Sequence, residues 1–205
     1  MADLSGYYPM TVQPYTINLT TNTPAQTTTS FSGKTFRTAF GAQYYEAELK
    51  YNTLKQSEFR AINAFIGQAF GPTFSFEIVM PEISYTTLAN QTGSTPSTTA
   101  SYAKGVKQVS IDGCGANGKV LGAGDYFKFA NHSKVYQAAA DCTANSSGVA
   151  TLFFAGSLVE AVPNNTSLTI TAVPFTMILQ ENNSGFQTGV GGLVGGFSIK
   201  MREVF

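Results

Sequence analysis

Apolar and polar residues alternate at a spacing of two in one stretch of this chain after another. Tyr15-Thr16-Ile17-Asn18-Leu19-Thr20 does so, and Gln43 to Tyr51 does so most cleanly. There Tyr45, Ala47, Leu49 and Tyr51 share one face, and Tyr44, Glu46, Glu48 and Lys50 the other. A strand turns successive side chains to opposite faces, so this spacing marks half-buried strands. The pattern returns at Tyr126–Ala130, with Phe127 and Phe129 on one side, at Leu168–Ala172, and at Phe197–Val204, with Phe197, Ile199 and Met201 on one side. Phe74 to Met80 reads as a further strand ended by Pro81, and another strand is expected at Val149–Phe154 after the Asn145-Ser146-Ser147-Gly148 turn.

The spacing changes once. From Leu54 through Phe59, Ile62, Phe65, Ile66 and Ala69 the apolar residues recur at three and four, which predicts one amphipathic helix over 55–70. Thr53 is the expected N-cap, with Gln56 three positions later, and Gly71-Pro72 stops the helix. Gly67 inside it costs up to ~1 kcal/mol relative to alanine, and close packing is a reason to keep it. The fold class that follows is mainly β. An N-terminal β-sandwich or split barrel carries the one packed helix, and a small β-barrel-like region follows, its short strands separated by evenly spaced turns.

Organisation follows from the punctuation. Residues 1–90 are expected to form a β-sheet and helix domain, to which the last strand, 196–205, returns. Ser94-Thr95-Pro96-Ser97-Thr98-Thr99 marks a Ser/Thr-rich linker over 91–104. A small barrel over 105–180 comes next, and then a Gly-rich loop over 181–196, whose ordering costs backbone entropy unless a surface holds it. Residues 4–33 carry no charge. Thr21–Ser30 reads as a polar loop, either an arm lying on a neighbouring molecule or a plain flexible loop.

Function classes are narrowed by what the charges and side chains allow. Charged residues make up 12% of the chain, with 12 basic and 12 acidic, so the net charge is zero. Soluble proteins average about 25%. A neutral chain with no Lys or Arg run lacks the basic face of a nucleic-acid binder, and its uncharged polar surface suits a part packed among protein copies. The single His132 makes no histidine metal site, the Asp112-Gly113 to Gly118 glycines lack the Lys-Ser/Thr of a phosphate loop, and no cofactor is expected. Asp125 and Asp141 read as turn residues and Glu58, Glu77 and Glu82 as surface acids. With no paired base and nucleophile, an enzyme is not expected. Cys114 and Cys142 are expected as free thiols. Met1-Ala2-Asp3 lacks a basic start and no run reaches 18 apolar residues, so neither a secretory signal nor a transmembrane helix is expected.

One order of landmarks goes further. An extended Tyr-x-Pro segment at Tyr7-Tyr8-Pro9 and a strand at Tyr45-Glu46-Ala47-Glu48-Leu49 come first. Leu54 then leads a helix holding Asn63-Ala64-Phe65-Ile66, followed by Gly71. Gly122-Ala123-Gly124-Asp125-Tyr126-Phe127-Lys128-Phe129 precedes Lys134-Val135-Tyr136-Gln137. Asp141-Cys142-Thr143-Ala144, Gly148-Val149-Ala150-Thr151-Leu152 and Gly196-Phe197-Ser198-Ile199 complete the series. The series resembles bacteriophage minor tail proteins of the distal tail or baseplate type, from about residue 7 to the end. It departs from them in having no Trp near the start or after the Gly-Asp pair.

The resemblance implies a structural component of a phage tail tip or baseplate. Such a component forms a homo-oligomeric, hexameric ring that joins the tail tube to the hub and fibres. It would be located in the virion tail and assembled in the host cytoplasm. The first half would build the ring and the second half a peripheral barrel. The alternative is a tail-fibre adaptor or carbohydrate-binding β-module peripheral to the ring. Structural or interface candidates are Tyr7, Tyr8, Tyr15, Tyr45, Leu49, Phe59, Ile62, Phe65, Ile66, Asp125, Tyr126, Phe127, Phe129, Tyr136, Phe197 and Ile199.

Overall fold

The computed structural model describes residues 8–10, 12–39, 42–86, 95–181 and 185–205. Strands β1 (Thr16–Asn22), β2 (Ala25–Thr29), β3 (Thr35–Ala39), β4 (Tyr44–Tyr51) and the two-residue β5 (Leu54–Lys55) precede the helix α1 (Gln56–Ala69). After a 3-10 turn at Gly71–Thr73 come β6 (Phe76–Ile78), β7 (Ser97–Thr98), β8 (Gln108–Asp112), β9 (Lys119–Leu121) and β10 (Tyr126–Phe129). Then follow β11 (Val135–Gln137), β12 (Cys142–Thr143), β13 (Ala150–Phe153), β14 (Leu168–Thr169) and β15 (Phe175–Leu179). The chain closes with β16 (Leu193–Val194) and β17 (Phe197–Glu203). The protein is thus mainly β, and among the described residues there is one α-helix and none of the several sheets closes into a barrel.

The chain divides into two compact units. One comprises Pro9–Thr73 and Ile178–Glu203. In it β4 sits between β1 and β17, antiparallel to both, with Ile17↔Leu49 and Ile199↔Leu49 in register. The alternation read in β4 is realised: Tyr45, Ala47, Leu49 and Tyr51 are buried, while Tyr44, Glu46, Glu48 and Lys50 are only partly so. α1 buries Phe59, Ile62, Phe65 and Ala69 and ends on a left-handed Phe70 before Gly71-Pro72. Glu203 is buried and accepts the Tyr45 amide at 3.1 Å, giving that donor a partner inside the protein.

The helix start differs from the Thr53 cap expected from sequence. Lys55 is the N-cap residue, and its amide donates to Glu58 Oε2 at 2.9 Å. Leu54 and Lys55 are drawn into pairing with Val194 and Leu193 of β16, and the Gln56 amide donates to Gly192 O at 3.0 Å. These long-range bonds shift the boundary by two residues. They also fold the Gly-rich loop back onto its own unit, where Val194 is fully buried. Close packing does not explain Gly67, because a Cβ built there meets nothing within 4 Å.

The other unit comprises Tyr8, Phe74–Met177 and Val204–Phe205. Its strands form short antiparallel sheets: β13–β8–β7, β11–β10–β14, β12–β9, and β6 with β15. Part of the segment expected as a linker is built into it. Ser97–Thr98 pair with β8, Thr98 is buried, its hydroxyl donates to Pro163 O at 2.8 Å, and its oxygen accepts the Thr166 amide at 3.0 Å. The core gathers Val109, Ile111, Leu121, Phe127, Phe129, Tyr136, Leu152 and Leu168, all nearly inaccessible. Phe127 stands at its centre, with the rings of Phe129, Tyr136 and Phe154 at 5.5, 5.7 and 5.8 Å. Burying one such side chain stabilises the fold by roughly 1.5–3 kcal/mol. The turn before β13 requires glycine, since Gly148 has φ +75° and a Cβ there would lie 2.5 Å from Cys114 O.

Candidate functional site

Beyond Asn22 the β1–β4 ladder is interrupted, and the chain passes through Thr23 and Pro24 before it pairs again. β2 and β3 then form a second ladder of five pairs, from Ala25↔Ala39 to Thr29↔Thr35. The polar loop expected over 21–30 is therefore partly a strand, because β-branched threonines suit the pleat once a partner strand is present. Every residue of both strands is exposed. At the tip the Ser30 amide donates to Lys34 O at 2.8 Å and the Gly33 amide to Ser30 O at 2.9 Å, with Gly33 at φ +79°. This turn holds Phe31 fully in solvent, and Phe36 is half-exposed with Lys34 Nζ 5.4 Å from its ring centre. A two-stranded ribbon without a covered face is marginal in water by itself. β2 also lacks the Lys, Pro or bulge that usually guards a free edge.

The same unit holds a groove of about 480 Å³. Its walls are Phe59, Asn63 and Ile66 of α1, Phe186 of the Gly-rich loop, Leu179, and Phe197 and Ile199 of β17. Phe59 lies 4.5 Å from Phe186 and 5.1 Å edge-on from Phe197, which in turn stacks on Tyr51 at 5.0 Å. The charges in the wall are Glu181 and Lys200, paired at 3.2 Å and half-exposed.

The residues singled out in the sequence divide into fold-builders and accessible ones. Tyr8, Tyr45, Leu49, Phe59, Ile62, Phe65, Phe127, Phe129, Tyr136 and Ile199 are buried. Tyr8 donates its amide to Glu77 O at 2.8 Å and packs on Phe76. Tyr126 is partly buried, edge-on to Phe175 at 5.5 Å, and burial raises its hydroxyl pKa. Tyr15 is largely exposed, and Ile66 and Phe197 keep a face in the groove. Tyr7 lies outside the described residues. Phe31, Phe36, Val190 and Leu193 were not singled out, although all four are exposed. The signal for the first was available in the charge-free arm that carries it.

The polar groups act as braces. Asp125 is 3% exposed, and its Oδ2 accepts the Thr86 hydroxyl at 2.6 Å and the Gly122 amide at 2.8 Å, closing the turn into β10. Asp141 pairs with Lys119 at 2.7 Å and accepts the Ala123 amide at 2.9 Å, which together hold its pKa low. Lys128, mostly buried, ties β10 to β6 through Glu77 at 3.0 Å.

His132 Nε2 lies 2.9 Å from the Tyr136 hydroxyl, which also accepts the Val159 amide at 3.1 Å. With the proton on Nδ1, Nδ1–H donates to Asn131 Oδ1 at 3.0 Å and Nε2 accepts the Tyr136 hydroxyl. That tautomer is neutral. Burial lowers the imidazole pKa, Lys128 and Lys134 add to the effect, and Glu160 opposes it. Cys114 and Cys142 are free thiols. Burial pushes Cys142 up to about 11 and raises Cys114 as well, which leaves both protonated at neutral pH.

Among the described residues no group of three or more His, Cys, Asp or Glu is placed to hold a metal ion, and no helix is long and apolar enough to cross a membrane. No protein-family model matches the chain, and no curated protein matches its sequence.

Proposed function

We propose that this chain is a structural ring component of a bacteriophage tail tip or baseplate, joining the tail tube to the hub and fibres without catalysis. The observation that carries this is the β2–β3 ribbon, exposed along both strands, nearly charge-free and tipped by Phe31. Such a ribbon gains stability by lying on another molecule, as the arm of an assembly protein does. The resemblance of the order of landmarks to distal tail proteins points to the kind of assembly. A closed ring needs a heterologous contact, in which one surface of each copy meets a different surface of the next. The ribbon and the groove are two such unlike surfaces. The partners in this reading are further copies of the chain, the tail tube, the hub and the fibres, and the place is the virion tail, assembled in the host cytoplasm.

A second reading, a fibre adaptor or carbohydrate-binding β-module, draws on Tyr85 and Phe153, both about half-exposed in the other unit. Exposed rings of this kind stack on sugars. Negative-stain images of the purified chain distinguish the two. Closed rings are expected. Isolated small particles, together with an arrayed glycan whose binding is lost in Phe153→Ser, would favour the second reading instead.

A further inference from the structure

The ladders place the ribbon and the groove at opposite ends of one sheet. β4 leads from the ribbon at Tyr44, paired with Asn22, to Tyr51, paired with Phe197 of the groove wall. Seven residue steps of strand separate Tyr44 from Tyr51, about 24 Å at ~3.4 Å per residue. The five pairs of β2 and β3 carry Phe31 farther along the chain's ribbon, and both ladders hold their geometry by backbone hydrogen bonds. Phe31 is fully exposed, so the tip does not occupy its own chain's groove.

We propose that the groove receives the β2–β3 tip of a second copy of this chain, with Phe31 seated among Phe59, Ile66, Phe186 and Phe197. Three features commit the site to this occupant. Phe59, Ile66, Phe186 and Phe197 line part of the groove beside the polar Asn63, Gln187 and Ser198, with room for a phenyl ring, while Phe31 at the ribbon tip is fully in solvent. The tip and its strands carry two charges, Lys34 and Arg37, and the groove wall sets no net charge against them, since Glu181 there is paired with Lys200. Projection and receptor lie at opposite ends of one unit, so each copy that fills a neighbour's groove leaves its own open for the next. That is the head-to-tail arrangement that closes a ring. The proposal rests on the ring reading and names the contact through which the ring closes.

The test uses the full chain. The mass of the wild type and of Phe31→Asp is measured by light scattering, with far-UV circular dichroism to verify the fold, since position 31 is fully exposed. In parallel, Ser32→Cys and Asn63→Cys proteins, each in a Cys114→Ser background and with Phe31 kept, are mixed and treated with a short bismaleimide. The expected result is a multi-copy wild type, a Phe31→Asp protein reduced to single chains, and a linked dimer that forms in the mixture but with neither protein alone. A multi-copy wild type whose mass is unchanged in Phe31→Asp, or a mixture that gives no linked dimer, overturns the docking and leaves the ring in place. A wild type that is a single chain throughout removes the ring and the docking together.

Discussion

Removing the Asp125 carboxylate should destabilise the unit that contains it by about 3 kcal/mol. Oδ2 of this residue accepts both the Gly122 amide at 2.8 Å and the Thr86 hydroxyl at 2.6 Å, and the side chain is 3% exposed. In Asp125→Ala the Gly122 amide, which is buried, keeps no partner from this side chain, and an orphaned buried donor costs about 1–3 kcal/mol. Thr86 is only partly buried and turns to water, so its share is nearer ~1 kcal/mol. Asp125→Asn behaves differently. These two bonds go to the same oxygen, and an amide oxygen placed there accepts both, so that for them only the charge assistance is lost, about 1 kcal/mol. The assay is urea unfolding of the full chain followed by far-UV circular dichroism. Hydrogen exchange at the Gly122 amide localises the effect, because two units need not unfold in one step. Alanine within ~0.5 kcal/mol of the parent would refute the idea that the Asp125 side chain holds this turn.

Gly67→Ala should raise stability by up to ~1 kcal/mol, read from the urea midpoint, because the position is helical and a Cβ there meets open space. His132 should make stability depend on pH with a definite sign. Its folded pKa lies below the ordinary 6.5, so between the two values the unfolded chain binds more protons. Its contribution is then complete above pH 6.5 and is lost as pH falls toward the folded value, a slope that His132→Asn should flatten in thermal melts across that range. Cys142 should resist iodoacetamide in the native chain at pH 8 and react once the chain is unfolded in urea. Peptide mass spectrometry reads the difference, and rapid native labelling would contradict the burial that pushes its thiol up to about 11.

What the sequence made legible was whatever repeats locally. The alternation of Tyr44–Tyr51 and of Phe197–Glu203 needed no partner to be recognised, and the switch to spacings of three and four located α1 within one residue at each end. What escaped depends on residues far apart in the chain. The N-cap is Lys55 rather than Thr53, where Leu193 and Val194, more than 130 residues later, pair with Leu54 and Lys55. Ser97–Thr98 read as linker from composition, yet β8 takes them up as a strand. β2 was hidden because its AQTTT run has no apolar face to alternate. That same lack makes it unusual once folded, since a strand with nothing to bury in its own chain is available to another. Most of the aromatic candidates turned out to build the two cores, and the accessible aromatic at the ribbon tip, Phe31, lay inside a segment noticed for its missing charge.

The most direct measurement is the mass of the purified chain in solution, by light scattering over a range of concentrations. The ring reading predicts one discrete species of about six copies that persists on dilution. A single chain of 21.8 kDa at every concentration would contradict it.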